Sequence, residues 1–288
     1  METAEKKSVA IPVLLILNGL AVIGLLVAIL LCLPYFDPAE PTPAELATEP
    51  STVPETTVDT TPTLPPPEAN PYGRNDFQYE GDWLLCQAGR SIPGIDVSAH
   101  QGKIDWQAVA DSGIKFVMVR LGYRGWGEKG TLKVDEYAVA NIKGAQEAGL
   151  AVGAYFFSQS VTEEEAIEEA NMALEILGDL ELQLPIVYDW EYVSEEARTA
   201  NMDARTLTDM TIAFCETIEG AGRDSMIYFN WGQADDLMYL EELVDYPFWL
   251  ALWQDRMTYP YRIEMWQYTS TGRVPGINGD VDINIGFQ

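Results

Sequence analysis

From residue 72 onward, short apolar runs alternate with longer amphipathic stretches. The runs at 92–97, 115–121, 150–157, 185–191, 225–230, 248–252, 263–268 and 280–283 have strand length and are rich in Val, Ile, Leu and aromatic residues. Apolar positions at helical spacing predict helices at 105–112, 134–148, 162–177, 206–220 and 232–243. Thr162 followed by Glu165 predicts a capping box for the third helix, and the acids Glu163, Glu164 and Glu165 suit the positive end of its dipole. Gly149, between a helical stretch and a strand, predicts a C-cap. This alternation is the signature of βα units around a parallel sheet. Eight strands with five helices predict a closed parallel barrel whose last part has lost its helices. An open doubly wound sheet is the alternative, but no Gly-rich phosphate loop follows the first strand.

The N-terminal quarter is different material. Residues 8–36 carry no charge over 29 positions, longer than the roughly 20 residues that cross a bilayer. No small-residue cleavage site follows, and Leu31 precedes Cys32 where a lipoprotein signal wants a small residue. An uncleaved transmembrane signal anchor at 9–36 is the expectation. Lys6 and Lys7 lie before it and Asp37 is the first charge after it, so residues 1–8 are expected in the cytoplasm and the rest outside a single-pass cell membrane protein. Residues 37–71 hold ten prolines, eight threonines and seven acids, with no basic or aromatic residue. Such a segment cannot bury enough apolar surface to offset its chain entropy, so a disordered linker is expected. Residues 72–90 are mixed and aromatic and are expected to pack on the barrel, which leaves 91–288 as the main globular domain.

Composition narrows the function. A net charge of −28 argues against nucleic acid as a partner. One histidine makes a His-based triad or metal cage untenable, and no cysteine spacing suits a zinc or iron–sulfur site, so no metal or cofactor is expected. Cys86 and Cys215 both lie outside the span. Their pairing stays open, although the helical pattern around Cys215 favours a buried free thiol.

The candidate chemistry is carboxylate chemistry. Asp189 and Glu191, at the end of the apolar run 184–188, share one strand face, with Tyr188 and Trp190 on the other. Their Cα atoms would stand ~6.6 Å apart, the scale on which glycosidases set two carboxyl groups around a sugar bond. Asp96 closes the first strand and Asp282 lies in the last, which adjoins the first if the barrel closes. Chemistry in βα barrels sits at the C-terminal strand ends, so four acids would ring one mouth. Crowding there would raise at least one pKa and preserve a general acid near neutral pH.

Gly94-Ile95-Asp96-Val97-Ser98 with His100-Gln101-Gly102, Ile104-Asp105-Trp106, Gly153-Ala154-Tyr155-Phe156-Phe157, Asp189-Trp190-Glu191 and Val281-Asp282-Ile283-Asn284 resemble, in order, the motifs of the Chalaropsis-type lysozymes, glycoside hydrolase family 25. The resemblance implies an irregular TIM-like (β/α)5β3 barrel that cleaves the β-1,4 bond between N-acetylmuramic acid and N-acetylglucosamine in peptidoglycan glycan strands. It makes Glu191 the general acid and Asp189 either the nucleophile or the group that steadies the substrate's own acetamido as it attacks. Asp96 and Asp282 would then set pKa values and hold the sugar. Phe156 departs from the histidine common in the family, and altered substrate contacts are expected there.

Tyr155, Phe157, Trp253 and Trp266 are candidates to stack on sugars, with barrel core as the competing role. Arg120 is a candidate either for a substrate carboxylate or for pairing with one of the four acids, and His100 for a loop near the rim. Two rival functions remain. Asp189-Trp190-Glu191 also matches the end of a chitinase signature, whose two earlier acids are replaced by Leu184 and Val187. The domain could instead be an inactive cell-wall-binding module. A divalent metal held by the acids is a third idea, which the family resemblance argues against.

Overall fold

The computed structural model describes residues 64–288. The expected cytoplasmic segment, the span at 9–36 and the linker up to residue 63 lie outside the described residues. Among the described residues no helix is long and apolar enough to cross a membrane.

The strands of the described residues are β1 (Phe77–Glu80), β2 (Trp83–Cys86), β3 (Ser91–Val97), β4 (Phe116–Arg124), β5 (Leu132–Val134), β6 (Ala151–Ser158), β7 (Ile186–Trp190), β8 (Ser225–Asn230), β9 (Phe248–Ala251), β10 (Met265–Gly272) and β11 (Val281–Phe287). The helices are α1 (Trp106–Asp111), α2 (Ala138–Glu147), α3 (Glu163–Leu177), α4 (Ala204–Gly220) and α5 (Trp231–Asp236). Around the sheet the order is β3-β11-β10-β9-β8-β7-β6-β4, and pairing of β3 with β4 closes it into an eight-strand barrel, with β5 a short addition on β4. One helix follows each of β3, β4, β6, β7 and β8, and none follows β9 or β10.

The expectation of an all-parallel barrel needs correcting. β11 runs antiparallel to both its neighbours, β10 and β3. Only eight residues separate β10 from β11, and a parallel return requires a crossover of a dozen or more. Asp282, the second residue of β11, therefore reaches the mouth from the start of its strand rather than the end.

Local chemistry explains most helix starts. Asp105 and Asp203 cap α1 and α4 by accepting the Ala108 and Thr206 N–H groups. Thr162 accepts from the Glu165 N–H, but the Glu165 carboxylate reaches back to the Val161 N–H, one residue short of a full capping box. Gly149 ends α2 at φ +83°, as a C-cap requires. The helix expected at 134–148 starts later because β5 takes residues up to Val134. The one expected at 232–243 breaks into α5 and a 3-10 turn at Leu240–Glu242.

The N-terminal extension occupies the flank that lacks helices. β1 and β2 form a hairpin. Phe77 sets its ring edge-on to Trp266 of β10 at 5.0 Å, and Tyr72 stacks on Phe287 of β11 at 4.8 Å. Ahead of the hairpin, Asn70 donates to the Pro260 carbonyl and Arg262 to the Glu68 carbonyl, so the last residues assigned to the linker pair with the body. Cys86 and Cys215 are both free and buried.

Candidate active site

Two pairs of carboxylates meet at the mouth. Asp96 of β3 and Asp282 of β11 are direct cross-strand partners, which sets their Cβ atoms about 4.5–5.5 Å apart. Asp189 of β7 lies between Phe157 of β6 and Tyr228 of β8 in the ladder, and Glu191 follows one residue after β7 ends. All four acids line one cavity of about 140 Å³. The alternation that aims Asp189 inward turns Tyr188 and Trp190 outward, where both are fully buried and Tyr188 packs on Phe214 of α4.

Burial governs the titration of this cluster. Asp96 and Asp189 are each 5% exposed. Burial pushes the Asp96 carboxyl up, but amide hydrogens from Asn284 (2.8 Å) and Gln267 (2.9 Å) both donate to its Oδ2 and favour the charged form. Asp282 faces that charge. Burial first, then the Asp96 carboxylate, push it up to about 9. Asp189 is raised well above the usual range by burial and then by the neighbouring Glu191, and its Oδ1 has no hydrogen-bond partner. Burial raises Glu191 as well. Asp282 thus keeps its proton near neutral pH, the second pair is shifted toward its protonated form, and Glu191 is the more exposed member of that pair.

Polar side chains tie the wall together. Trp249 donates to Asn284 (2.9 Å), which in turn donates to Asp96. Trp253 and Tyr228 donate to Gln267 at 2.9 and 3.2 Å, and Gln267 also donates to Asp96. Arg120 pairs with Asp135 at 2.8 Å rather than with one of the four acids. Its positive charge still lowers the pKa of Asp189. Asp135 is wholly buried and also accepts the Ala99 N–H, so it holds Arg120 against the cavity.

Of the residues singled out by sequence, Tyr155, Phe157, Arg120 and Trp253 line the cavity with the four acids. Trp266 does not. It is fully buried on the outer face of β10 under the N-terminal hairpin, because Met265 and Gln267 take the inward positions. Phe156 is likewise buried on the outer face of its strand, against Gly122, and cannot alter substrate contacts directly. His100 is exposed on a 3-10 turn beyond β3. Sequence reasoning missed Tyr228, Trp249, Gln267 and Asp135. For Gln267 a signal existed, since an amide between Trp266 and Tyr268 in an otherwise buried strand needs a partner. Among the described residues, no group of three or more His, Cys, Asp or Glu is arranged to hold a metal ion.

The family model described as "Glycosyl hydrolases family 25" matches residues 95–277. The chain belongs to this family. The matched span holds Asp96, Asp189 and Glu191, while Asp282 falls just beyond it and joins through its pairing with Asp96. Among relatives, the family 25 chain is 29% identical to "Lysozyme M1" of Streptomyces globisporus, covering 67% of each. It is 30% identical to the Escherichia coli K12 protein YegX, over 70% of this chain and 72% of that one. Among solved structures, the autolysin LytC of Streptococcus pneumoniae in complex with a synthetic peptidoglycan ligand superposes with TM-score 0.60 at 29% identity, over 68% of this chain. The match spans 46% of LytC, about half its length.

Proposed function

We propose that this family 25 protein is a membrane-anchored lysozyme, an N-acetylmuramidase that hydrolyses the β-1,4 bond between N-acetylmuramic acid and N-acetylglucosamine in peptidoglycan. The observation that carries the reading is the convergence of Asp96, Asp189, Glu191 and Asp282 on one cavity. The lysozyme relative and the peptidoglycan ligand of LytC support the substrate class.

Glu191 protonates the leaving O4 of N-acetylglucosamine; burial raises both members of the pair, Asp189 more than Glu191, so the proton they share passes to Glu191 before it is delivered. As the bond to the muramic acid C1 breaks, positive charge develops on the sugar. Asp189 meets it either by attacking C1 or by orienting the substrate's acetamido oxygen for that attack. Glu191, now a carboxylate, takes a proton from the water that opens the intermediate, so that it ends the cycle as it began. Charged Asp96, held by Asn284 and Gln267, and Asp282 bind sugar hydroxyls, while Tyr155, Phe157 and Trp253 offer flat faces to the pyranose rings. Asp135-bound Arg120 presents a cation to the same space.

The sequence of residues 1–67 supports the anchoring half of the proposal: a cytoplasmic 1–8, a single span at 9–36, and a linker that, short of the residues paired with the body from Glu68 on, could reach on the order of 100 Å if extended. The catalytic domain then works outside the cell membrane, within the wall.

The test is to incubate the domain with purified peptidoglycan and with chitin oligomers, and to identify the new reducing ends. Muramic acid ends are expected. Acetylglucosamine ends, or cleavage of chitin alone, would overturn the assignment in favour of a chitinase-like enzyme. Glu191→Gln is expected to lower kcat by roughly 10³-fold or more with the fold intact. Unchanged muropeptide release by that variant removes Glu191 from its role, and no release by the parent chain leaves a wall-binding module.

A further inference from the structure

Glu191 stands where regular structure stops. The β7 ladder ends with Ser158 paired to Trp190 on one side and Asp189 paired to Tyr228 on the other. The loop 191–203 begins there, so no strand is available to receive the carbonyls of Trp190 and Glu191. Two buried glutamine side chains receive them instead. Gln233, in α5, donates its amide N–H to the Trp190 carbonyl at 2.5 Å. Gln159, between β6 and α3, donates to the Glu191 carbonyl at 2.6 Å.

Those two carbonyls belong to the two peptide planes that flank the Glu191 Cα. Because each plane is rigid, only the φ and ψ of Glu191 separate them. Pinning both planes fixes both torsions and therefore the direction of the Cα–Cβ bond that carries the carboxyl group. Neither glutamine is free to turn. The Gln159 amide also donates to the Ser158 carbonyl (2.8 Å), and its oxygen accepts the Thr199 hydroxyl (3.0 Å). The Gln233 side-chain oxygen accepts from the Asn230 side-chain amide (2.6 Å), and the Gln233 backbone N–H donates to Asn230 Oδ1 (3.0 Å) in a reciprocal capping box. Gln159 is 0% exposed and Gln233 3%. The Trp190 ring is itself anchored, through its indole N–H, to the Ser160 carbonyl (3.2 Å).

We infer that Gln159 and Gln233 form a two-sided clamp that positions Glu191 for proton transfer. Neither touches the cavity, so both are positioning residues that act through Glu191. This rests on the proposed muramidase reading. A general acid must come within hydrogen-bond reach of the oxygen it protonates, and a displacement of about 1 Å can cost roughly 10²-fold in rate. The clamp supplies that accuracy at a position where the sheet cannot.

The experiment compares the parent chain with Gln159→Met and Gln233→Met, which keep side-chain length and remove the donor. Thr199→Val is the milder variant; it leaves the Gln159 donor in place but frees the amide to rotate. Each is assayed on a soluble, defined glycan fragment of peptidoglycan for kcat, KM and the pH profile of kcat/KM, with circular dichroism to confirm folding. For each Met variant the expected result is a fall in kcat of about 10-fold or more, with KM within twofold and the limb assigned to Glu191 displaced. Thr199→Val is expected to shift kcat the same way by a smaller factor, so the inference stays testable if a Met variant fails to fold. A purely structural role would lower Tm and leave kcat and the pH limb of the folded protein unchanged, and that outcome overturns the clamp. An inactive parent chain would instead overturn the muramidase reading itself.

Discussion

The acids at the mouth stand in pairs whose burial is unfavourable to the fold and, in the proposed reaction, favours holding a proton. Asp282 shows the sign clearly. Its folded pKa is raised to about 9 by burial and by Asp96, against an unfolded value near 3.9. Between those limits the folded state binds a proton that the unfolded state releases, so this contribution to stability is fully present below about pH 4 and is lost as pH rises toward 9. Asp282→Asn removes that dependence. The variant should match the parent in Tm near pH 4 and exceed it at pH 8, by about 2–4 °C for ~1 kcal/mol in a domain of this size. That figure is kept small because Asp282 is partly exposed and its interactions are screened. Thermal melts across that range, with muramidase activity followed in parallel, check both the gain and the catalytic cost that accompanies it. Equal pH slopes for the two proteins would mean that Asp282 titrates normally.

At the scale of elements, an eight-strand barrel with helices after only five strands must cover the remaining flank by other means. The β1–β2 hairpin does so by setting Phe77 against Trp266 and Phe287. Phe77→Ala leaves a void over β10 and β11 and is expected to cost about 3 kcal/mol, read as a lower denaturant midpoint with an unchanged slope. Turnover per folded molecule should stay the same, because the hairpin touches the outer face of β10 while Gln267 works on the inner one. Loss of turnover without loss of stability would show instead that the hairpin supports the site. The same strand explains the misplacement of Trp266. The aromatic run 263–268 was legible as a strand, but which of its faces turned inward was not, since apolar residues occupy both. Asp189 was legible because its alternation with Tyr188 and Trp190 separates polar from apolar sides.

At the scale of the whole molecule, an acidic chain with a net charge of −28 carries a proline-rich, acid-rich segment between an uncharged stretch and the barrel. In the proposed anchored form, the acidity of this segment and of the barrel disfavours adhesion to anionic lipid. Deleting residues 1–36 is expected to move the protein from the membrane fraction to the soluble fraction with its specific activity intact, as measured by fractionation and by reducing-end release. A full-length chain that fractionates as soluble without detergent would remove the anchor from the proposal. The low count of basic residues bears on substrate as well. Arg120 is the one cation lining the cavity among the described residues, so any substrate carboxylate that enters must meet it.

By itself the sequence determined the number and order of barrel strands, the helices after the first five, and the four acids in their ordered motifs. These are encoded locally, in strand periodicity, caps and short runs around each acid, and local patterns survive without knowledge of neighbours. Tertiary structure alone decided the antiparallel course of β11, the pairing of Arg120 with Asp135, the removal of Trp266 and Phe156 from the mouth, and the glutamines that grip the chain on either side of Glu191. Each of these depends on which side chain meets which across many residues of chain. Strand direction, inward face and hydrogen-bond partner become fixed only when the barrel closes and every buried polar group must find its match.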